Sequence, residues 1–185
     1  MDDQTRSLVK KLISKNYGIL LVTGPSGSGK TSMLYSIIEE LKTKEKNIIT
    51  LEDPVEYELN EIRQCQIKPN QGLTFATGMK SILRQDPDII MIGEIRDPET
   101  AEYAMRASLM GRSVFSTVHS NSSVGIIARL IDMNIEHGLI AYALNGSISK
   151  RLVRRTCSHC KTPYTPGQHY LDYFQVPNNN QQFVK

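Results

Sequence analysis

The sequence predicts an α/β fold with a mainly parallel central sheet flanked by helices. Three observations predict it. The apolar run at residues 17–23 passes through a glycine-rich loop into a stretch with helical apolar spacing. Further apolar runs follow at residues 47–51, 89–92 and 113–118, with helix-like stretches among them. Buried parallel strands read as such near-continuous apolar runs, and their alternation with helices marks a parallel sheet. Each run also ends in polar or acidic residues, and in open parallel sheets ligands sit beyond the carboxyl ends of the strands.

The 185 residues suit one domain with an appendage, and 39% hydrophobic residues with no Trp is an ordinary globular composition. A formal net charge of +3 is too small to mark a nucleic-acid binder, so no direct nucleic-acid contact is expected. The start, Met1-Asp2-Asp3-Gln4-Thr5-Arg6, is polar and lacks the apolar core of a targeting segment. The longest apolar stretches are strand-length, far below the roughly 20 residues of a membrane span. A cytoplasmic protein is expected. Three cysteines, an odd number, do not read as a disulfide framework.

Residues 1–16 carry one amphipathic helix, with Leu8, Val9, Leu12 and Ile13 on a face. After the first strand comes Gly24-Pro25-Ser26-Gly27-Ser28-Gly29-Lys30-Thr31. It reads G-x-x-x-x-G-K-S/T, the phosphate-binding loop of nucleoside triphosphatases. Gly24, Gly27 and Gly29 free the backbone to turn successive N–H groups inward as an anion nest. The following helix, with Met33, Leu34, Ile37, Ile38 and Leu41 at apolar positions, offers its N-terminus to the same anion. Lys30 adds a point charge for the β and γ phosphates, and Thr31 a hydroxyl for Mg²⁺. ATP is the ligand this loop calls for.

A charged turn at residues 42–46 leads to the second strand, which ends in Glu52-Asp53-Pro54-Val55-Glu56-Tyr57. Taken alone, that segment is a solvated, proline-broken acidic turn; its place after a strand puts its carboxylates near the nucleotide. Residues 62–67 read as a further strand and Asn70-Gln71-Gly72 as a turn. Thr74 caps a helix running to about Leu83, which Gly78 weakens. The strand at 89–92 ends not in the usual metal-binding Asp but in Gly93-Glu94. Glu94 is either a solvated loop acid or the base that activates water. A helix from Pro98 to Met110, closed by Gly111, precedes the strand that delivers His119-Ser120-Asn121-Ser122 to the same edge. His119 is a structural histidine or a site residue with equal warrant. Residues 124–133 and 139–152 read as two more helices, the second ending in Lys150, Arg151, Arg154 and Arg155, which face a partner subunit or, by default, solvent.

Beyond Thr156 the character changes. Cys157-Ser158-His159-Cys160 is a C-x-x-C pair, half of a tetrahedral zinc site. Residues 163–185 read as a loop or frayed end that includes Asn178-Asn179-Asn180-Gln181-Gln182.

Four segments in order resemble the GspE/PulE/PilB family of secretion ATPases, which drive type II secretion, type IV pili and competence pseudopili. Leu83-Arg84-Gln85-Asp86-Pro87-Asp88-Ile89-Ile90-Met91-Ile92-Gly93-Glu94-Ile95-Arg96-Asp97 looks like the family signature throughout. Ile49-Thr50-Leu51-Glu52-Asp53-Pro54-Val55-Glu56-Tyr57 is similar to its Asp box, and Ser116-Thr117-Val118-His119-Ser120-Asn121 to its His box. Arg151-Leu152-Val153-Arg154-Arg155-Thr156-Cys157-Ser158-His159-Cys160 matches the run into its first cysteine pair, in wording most like the competence branch of Gram-positive bacteria, the ComGA type. The resemblance implies a RecA-like core at residues 1–155, with 156–185 as a cysteine-pair segment and tail. It implies a homo-hexameric ring with ATP between subunits, peripheral at the inner face of the cell membrane, acting on pilin through an inner-membrane platform protein. By carry-over Lys30 and Thr31 hold phosphate and Mg²⁺, and Glu94 activates water. Glu52 and Glu56 assist metal and water, and His119 senses the γ phosphate.

Two departures stand out. The family carries a domain before the phosphate-binding loop that supplies arginines to a neighbouring site, and a second C-x-x-C after the first. Neither is in these residues, so the chain is expected to be cut at both ends and to hydrolyse ATP weakly. The alternatives are a non-catalytic nucleotide-binding assembly fragment and a P-loop kinase, although no acceptor pocket or arginine-rich lid is apparent for the latter.

Overall fold

The computed structural model describes residues 3–176 and 183–184. Six strands form the central sheet: β1 Gly18–Thr23, β2 Ile48–Glu52, β3 Arg63–Gln66, β4 Ile89–Ile92, β5 Ser113–Thr117 and β6 Leu144–Ser149. They lie in the order β3-β2-β4-β5-β1-β6, and every neighbouring pair is parallel. All six carboxyl ends therefore open on one edge, the edge at which such sheets bind ligands.

Helices cover both faces, which is why the strands read as unbroken apolar runs. Ile19, Leu21, Ile49, Leu51, Ile90 and Ile92 face a layer made by α3 Phe75–Ile82, α4 Pro98–Leu109, α5 Gly125–Asp132 and α6 His137–Ala143. Leu20, Val22, Ile48, Met91 and Phe115 face the other layer, made by α1 Asp3–Ile13 and α2 Lys30–Leu41. Each such side chain contributes about 1.5–3 kcal/mol when fully buried. That is enough to fix β1 and β4 rigidly under the loops they carry.

Local signals set the helix ends. Thr74 caps α3 by accepting from the Thr77 N–H at 3.2 Å, and Thr77 Oγ1 accepts in return from the Thr74 N–H. Asp97 caps α4 through the Thr100 N–H at 2.8 Å, with Pro98 at the first helical position. Gly111, at φ +85°, follows the end of α4 in a left-handed conformation.

One expectation is overturned on the sheet itself. Residues 139–152 are not one helix: α6 stops at Ala143, and Leu144–Ser149 turns into the edge strand β6 beside β1. Ile140, Leu144, Ile148 and Leu152 recur every four residues and imitate a helix face. Asn145-Gly146-Ser147 is a poor helix interior, and β1 offers an unpaired edge for hydrogen bonding. Gly146 also lets α1 close on the strand, since a Cβ there would lie 3.1 Å from Leu12.

The chain divides into two units, Met1–Arg151 and Leu152–Lys185. The second is not simply a loop. β7 Pro163–Tyr164 pairs antiparallel with β8 Phe183–Val184, and α7 Gln168–Tyr173 lies between them in sequence. The run at 178–182 lies outside the described residues. No helix among those described is long and apolar enough to cross a membrane.

Candidate functional site

β1 delivers the chain into the loop Gly24–Thr31 at the carboxyl edge. Gly24, Gly27 and Gly29 have φ values of +149°, +72° and +82°, a backbone that side chains resist. At Gly24 the space is also closed, because a Cβ would lie 2.2 Å from the Lys150 carbonyl oxygen. Gly29 caps α2 without any side-chain acceptor, so the first-turn N–H groups of α2 have no capping side chain. Lys30 Nζ donates to the carbonyls of Gly24 at 2.9 Å and Pro25 at 3.1 Å, which holds the ammonium over the loop. The Ser28 hydroxyl is buried without a hydrogen-bond partner. Uncapped N–H groups, an ammonium and the Thr31 hydroxyl together fit a phosphate chain with its divalent cation.

A cavity of about 270 Å³ spreads from this loop to the ends of β2, β4 and β5. It is lined by Lys30, Thr31, Glu52, Glu56, Glu94 and His119, among others. These six of the residues singled out in the sequence thus line one cavity.

The acids differ in character. Glu52 ends β2 and is 2% exposed. Its Oε2 accepts from the Tyr35 hydroxyl, and its Oε1 accepts from Thr50 Oγ1 at 2.5 Å and Gln64 Nε2 at 3.0 Å. Burial, and then the Glu52 contact, push the Tyr35 phenol up to about 12. Glu56 is exposed, and its backbone N–H donates to Tyr35 Oη at 3.3 Å. Tyr35 on α2 therefore ties the phosphate-binding helix to the acidic segment.

Glu94 follows the glycine that ends β4, and its side chain is only 13% exposed. One carboxylate oxygen pairs with Arg96, and the other lies 3.3 Å from His119 Nε2. The Arg96 guanidinium is held above its usual value chiefly by that hydrogen bond to Glu94. Thr117 Oγ1 donates to the Gly93 carbonyl at 2.8 Å and joins the ends of β4 and β5. Thr23 Oγ1 donates to the Ser120 carbonyl at 2.6 Å, which fixes the segment bearing His119 against β1.

Several contributors escape a reading of the sequence, Arg96 beside Glu94 among them. Tyr35 lies within the helix after the loop, outside its apolar spacing, and carries no motif that would single it out. Lys150 and Arg151 also touch the site, Arg151 while remaining exposed: Lys150 Nζ donates to the Gly29 carbonyl at 3.0 Å, and Arg151 Nη2 to the Asn121 carbonyl at 2.9 Å. Placing β6 beside β1 is the missing signal, and the helical reading of residues 139–152 hid it.

In the unit Leu152–Lys185, Cys157 and Cys160 are both free and exposed. Hydrogen bonds from the backbone at His159 and Cys160, and from the Cys160 side chain, hold the Cys157 thiol below its usual value. Among the described residues, no group of three or more His, Cys, Asp or Glu side chains is placed to hold a metal ion.

A family model described as Type II/IV secretion system protein matches residues 1–184. The chain belongs to this family. Type II secretion system protein E of Pseudomonas aeruginosa is 51% identical over 164 residues, covering 89% of this chain and 33% of that protein. The type IV pilus assembly ATPase PilB of Thermus thermophilus is 52% identical over 162 residues, covering 88% and 18%. The chain thus spans about a third of the type II secretion relative and under a fifth of PilB. Among solved structures, the pilus retraction motor PilT with bound ADP matches at a TM-score of 0.72 and 36% identity, over 83% of this chain and 46% of PilT. The VirB11 ATPase of Brucella suis, at 18% identity and a TM-score of 0.68, shares the fold. The fold of this type II/IV secretion family member is the RecA-like P-loop α/β fold.

Proposed function

We propose that the chain binds ATP with Mg²⁺ and hydrolyses it, as the motor core of a secretion or pilus-type assembly machine. One observation carries the reading: the phosphate-binding loop and the Glu94–His119 pair face the same cavity. The backbone of Gly24–Gly29 and the Lys30 ammonium bind the phosphates. Thr31 would hold Mg²⁺, with Glu52 and Glu56 assisting, and the ion when bound would supply charge neutralisation at the phosphate oxygens. Glu94 orients a water and takes its proton as the water oxygen bonds to the γ phosphorus and the bond to the β-phosphate oxygen breaks. His119 steadies Glu94 on one side and reads the γ phosphate on the other.

The finer reading rests on the family. Relatives named as type II secretion protein E and PilB support an assembly motor. The run from Arg151 to Cys160 favours the competence branch and DNA uptake. We place the ATPase domain at residues 1–155, in a homo-hexamer at the cytoplasmic face of the membrane against an inner-membrane platform protein. Cys157 and Cys160 supply half of a zinc site in residues 156–185.

Steady-state phosphate release, with and without a phosphoryl acceptor, tests the proposal alongside calorimetry of Mg-ATP binding. Release without acceptor is expected. Lys30→Ala should abolish binding, because the phosphates lose the only charged side chain of the loop. Phosphate appearing only on an acceptor identifies a kinase, binding without release identifies an assembly module, and unchanged affinity in Lys30→Ala removes the loop assignment.

A further inference from the structure

The last residue before the end of the first unit approaches the phosphate-binding loop more closely than a solvent-facing cation has reason to. The Lys150 N–H donates to the Thr23 carbonyl at 2.8 Å, extending the β1–β6 pairing past the strand. Its own carbonyl fills the place where any side chain on Gly24 would go. Its ammonium crosses to the Gly29 carbonyl, which also accepts from the Met33 N–H at 3.1 Å in the first turn of α2. A positive charge at a helix N-terminus opposes the helix dipole. It also adds to Lys30 on the same loop. Helix stability therefore does not account for its position, whereas an anion bound there offsets both costs.

Arg151 points the other way. It donates to the Asn121 carbonyl and lines a cavity of about 520 Å³ with Gly24, Pro25, Ser26 and His119. Two consecutive cations thus grip the two segments between which a nucleotide's phosphates would lie. We infer that Lys150 and Arg151 are positioning residues of the nucleotide site, an inference that rests on the proposed ATP reading. Lys150 fixes the phosphate-binding loop and acts on all nucleotides alike. Arg151 fixes the His119 segment and acts where a γ phosphate is present.

Calorimetric affinities for Mg-ATP and Mg-ADP, measured on the full chain, separate the two roles. Lys150→Met keeps the aliphatic stem and should weaken both affinities by about fivefold, the scale of one partly exposed charge-assisted hydrogen bond. Arg151→Ala should weaken Mg-ATP by about threefold or more and leave Mg-ADP unchanged, and Arg151→Lys, which can still donate to Asn121, should restore most of the ratio. Thermal unfolding of the ligand-free variants should match the wild type. An ATP-to-ADP affinity ratio in Arg151→Ala equal to that of the wild type overturns the role of Arg151, as does failure of Arg151→Lys to restore it. Unchanged affinities in Lys150→Met overturn the role of Lys150, and a large fall in melting temperature makes either residue merely structural. Lys30→Ala distinguishes the levels. If its Mg-ATP affinity is unchanged, the loop assignment on which this inference rests fails; if binding is lost while the other variants behave as wild type, only this inference fails.

Discussion

Glu94 sits between a guanidinium and an imidazole, on the first residue that can carry a charge after β4. Its partners hold the carboxylate over the cavity, so a substitution that keeps their hydrogen bonds isolates its basicity. Glu94→Gln should hold Mg-ATP within a few-fold of the wild-type affinity and lose roughly 10²–10⁴ in hydrolysis, the usual worth of a general base. Binding that falls as steeply as turnover would make Glu94 a metal ligand; turnover that barely changes would move the base to Glu52, Glu56 or His119. A second residue test concerns Tyr35, whose phenol is raised from 10 to about 12 by burial and then by Glu52. The folded state keeps that proton longer than the unfolded state. Its contribution to stability is therefore intact below pH 10 and is lost as pH rises through about 12. Spectrophotometric phenolate titration of wild type against Tyr35→Phe should show one late-titrating tyrosine missing from the variant; identical curves would remove the Tyr35–Glu52 contact. Lys30, Thr31, Glu94 and His119 could be singled out because they stand in the first turn of the helix after β1 and in the loops after β4 and β5, where their residue types have no packing purpose. Tyr35 could not, because it reaches Glu52 from within a helix, through a contact that only the packing of α2 against the end of β2 creates.

At the scale of elements, the alternation of apolar strands and helices made five of the six sheet strands readable. β6 was not readable, because an i, i+4 apolar spacing is compatible with a helix and only the free edge of β1 decides against it. Gly78 shows the reverse case, a local weakness that packing explains. In α3 it costs about 1 kcal/mol relative to Ala by propensity. Yet a Cβ there would lie 2.9 Å from one methyl of Leu51 and 3.0 Å from the other, and Leu51 is fully buried in β2. Overpacking of such a core costs about 1–3 kcal/mol, more than the helix gains. Gly78→Ala should therefore lower stability by about 1 kcal/mol in chemical denaturation with an unchanged slope. A stabilised variant would show that α3 can draw back from β2 at little cost.

At the scale of the molecule, a wholly parallel sheet sends every functional loop to one edge, and that edge is open. The His119 side chain is 60% exposed, and Glu56 and Arg151 are exposed as well. Electrostatic stabilisation of a transferring phosphoryl group is strongest where water is excluded, because the same charges act through a lower dielectric. A single copy of Met1–Arg151 leaves that rim in water and would supply only its own cations to bound phosphates. Covering that edge with a second copy, as in the proposed ring, would exclude water and bring further positive charge to the γ phosphate. Arginines supplied in this way raise phosphoryl-transfer rates by roughly 10³–10⁵ in other enzymes. Turnover per chain should accordingly rise with chain concentration and with the mass seen by light scattering in the presence of Mg-ATP. Affinity for Mg-ADP, which depends mainly on the loop of one copy, should change far less over the same range. A turnover per chain that stays constant while the protein remains monomeric would mean that one copy completes its own site, and the ring would then serve force transmission and not chemistry.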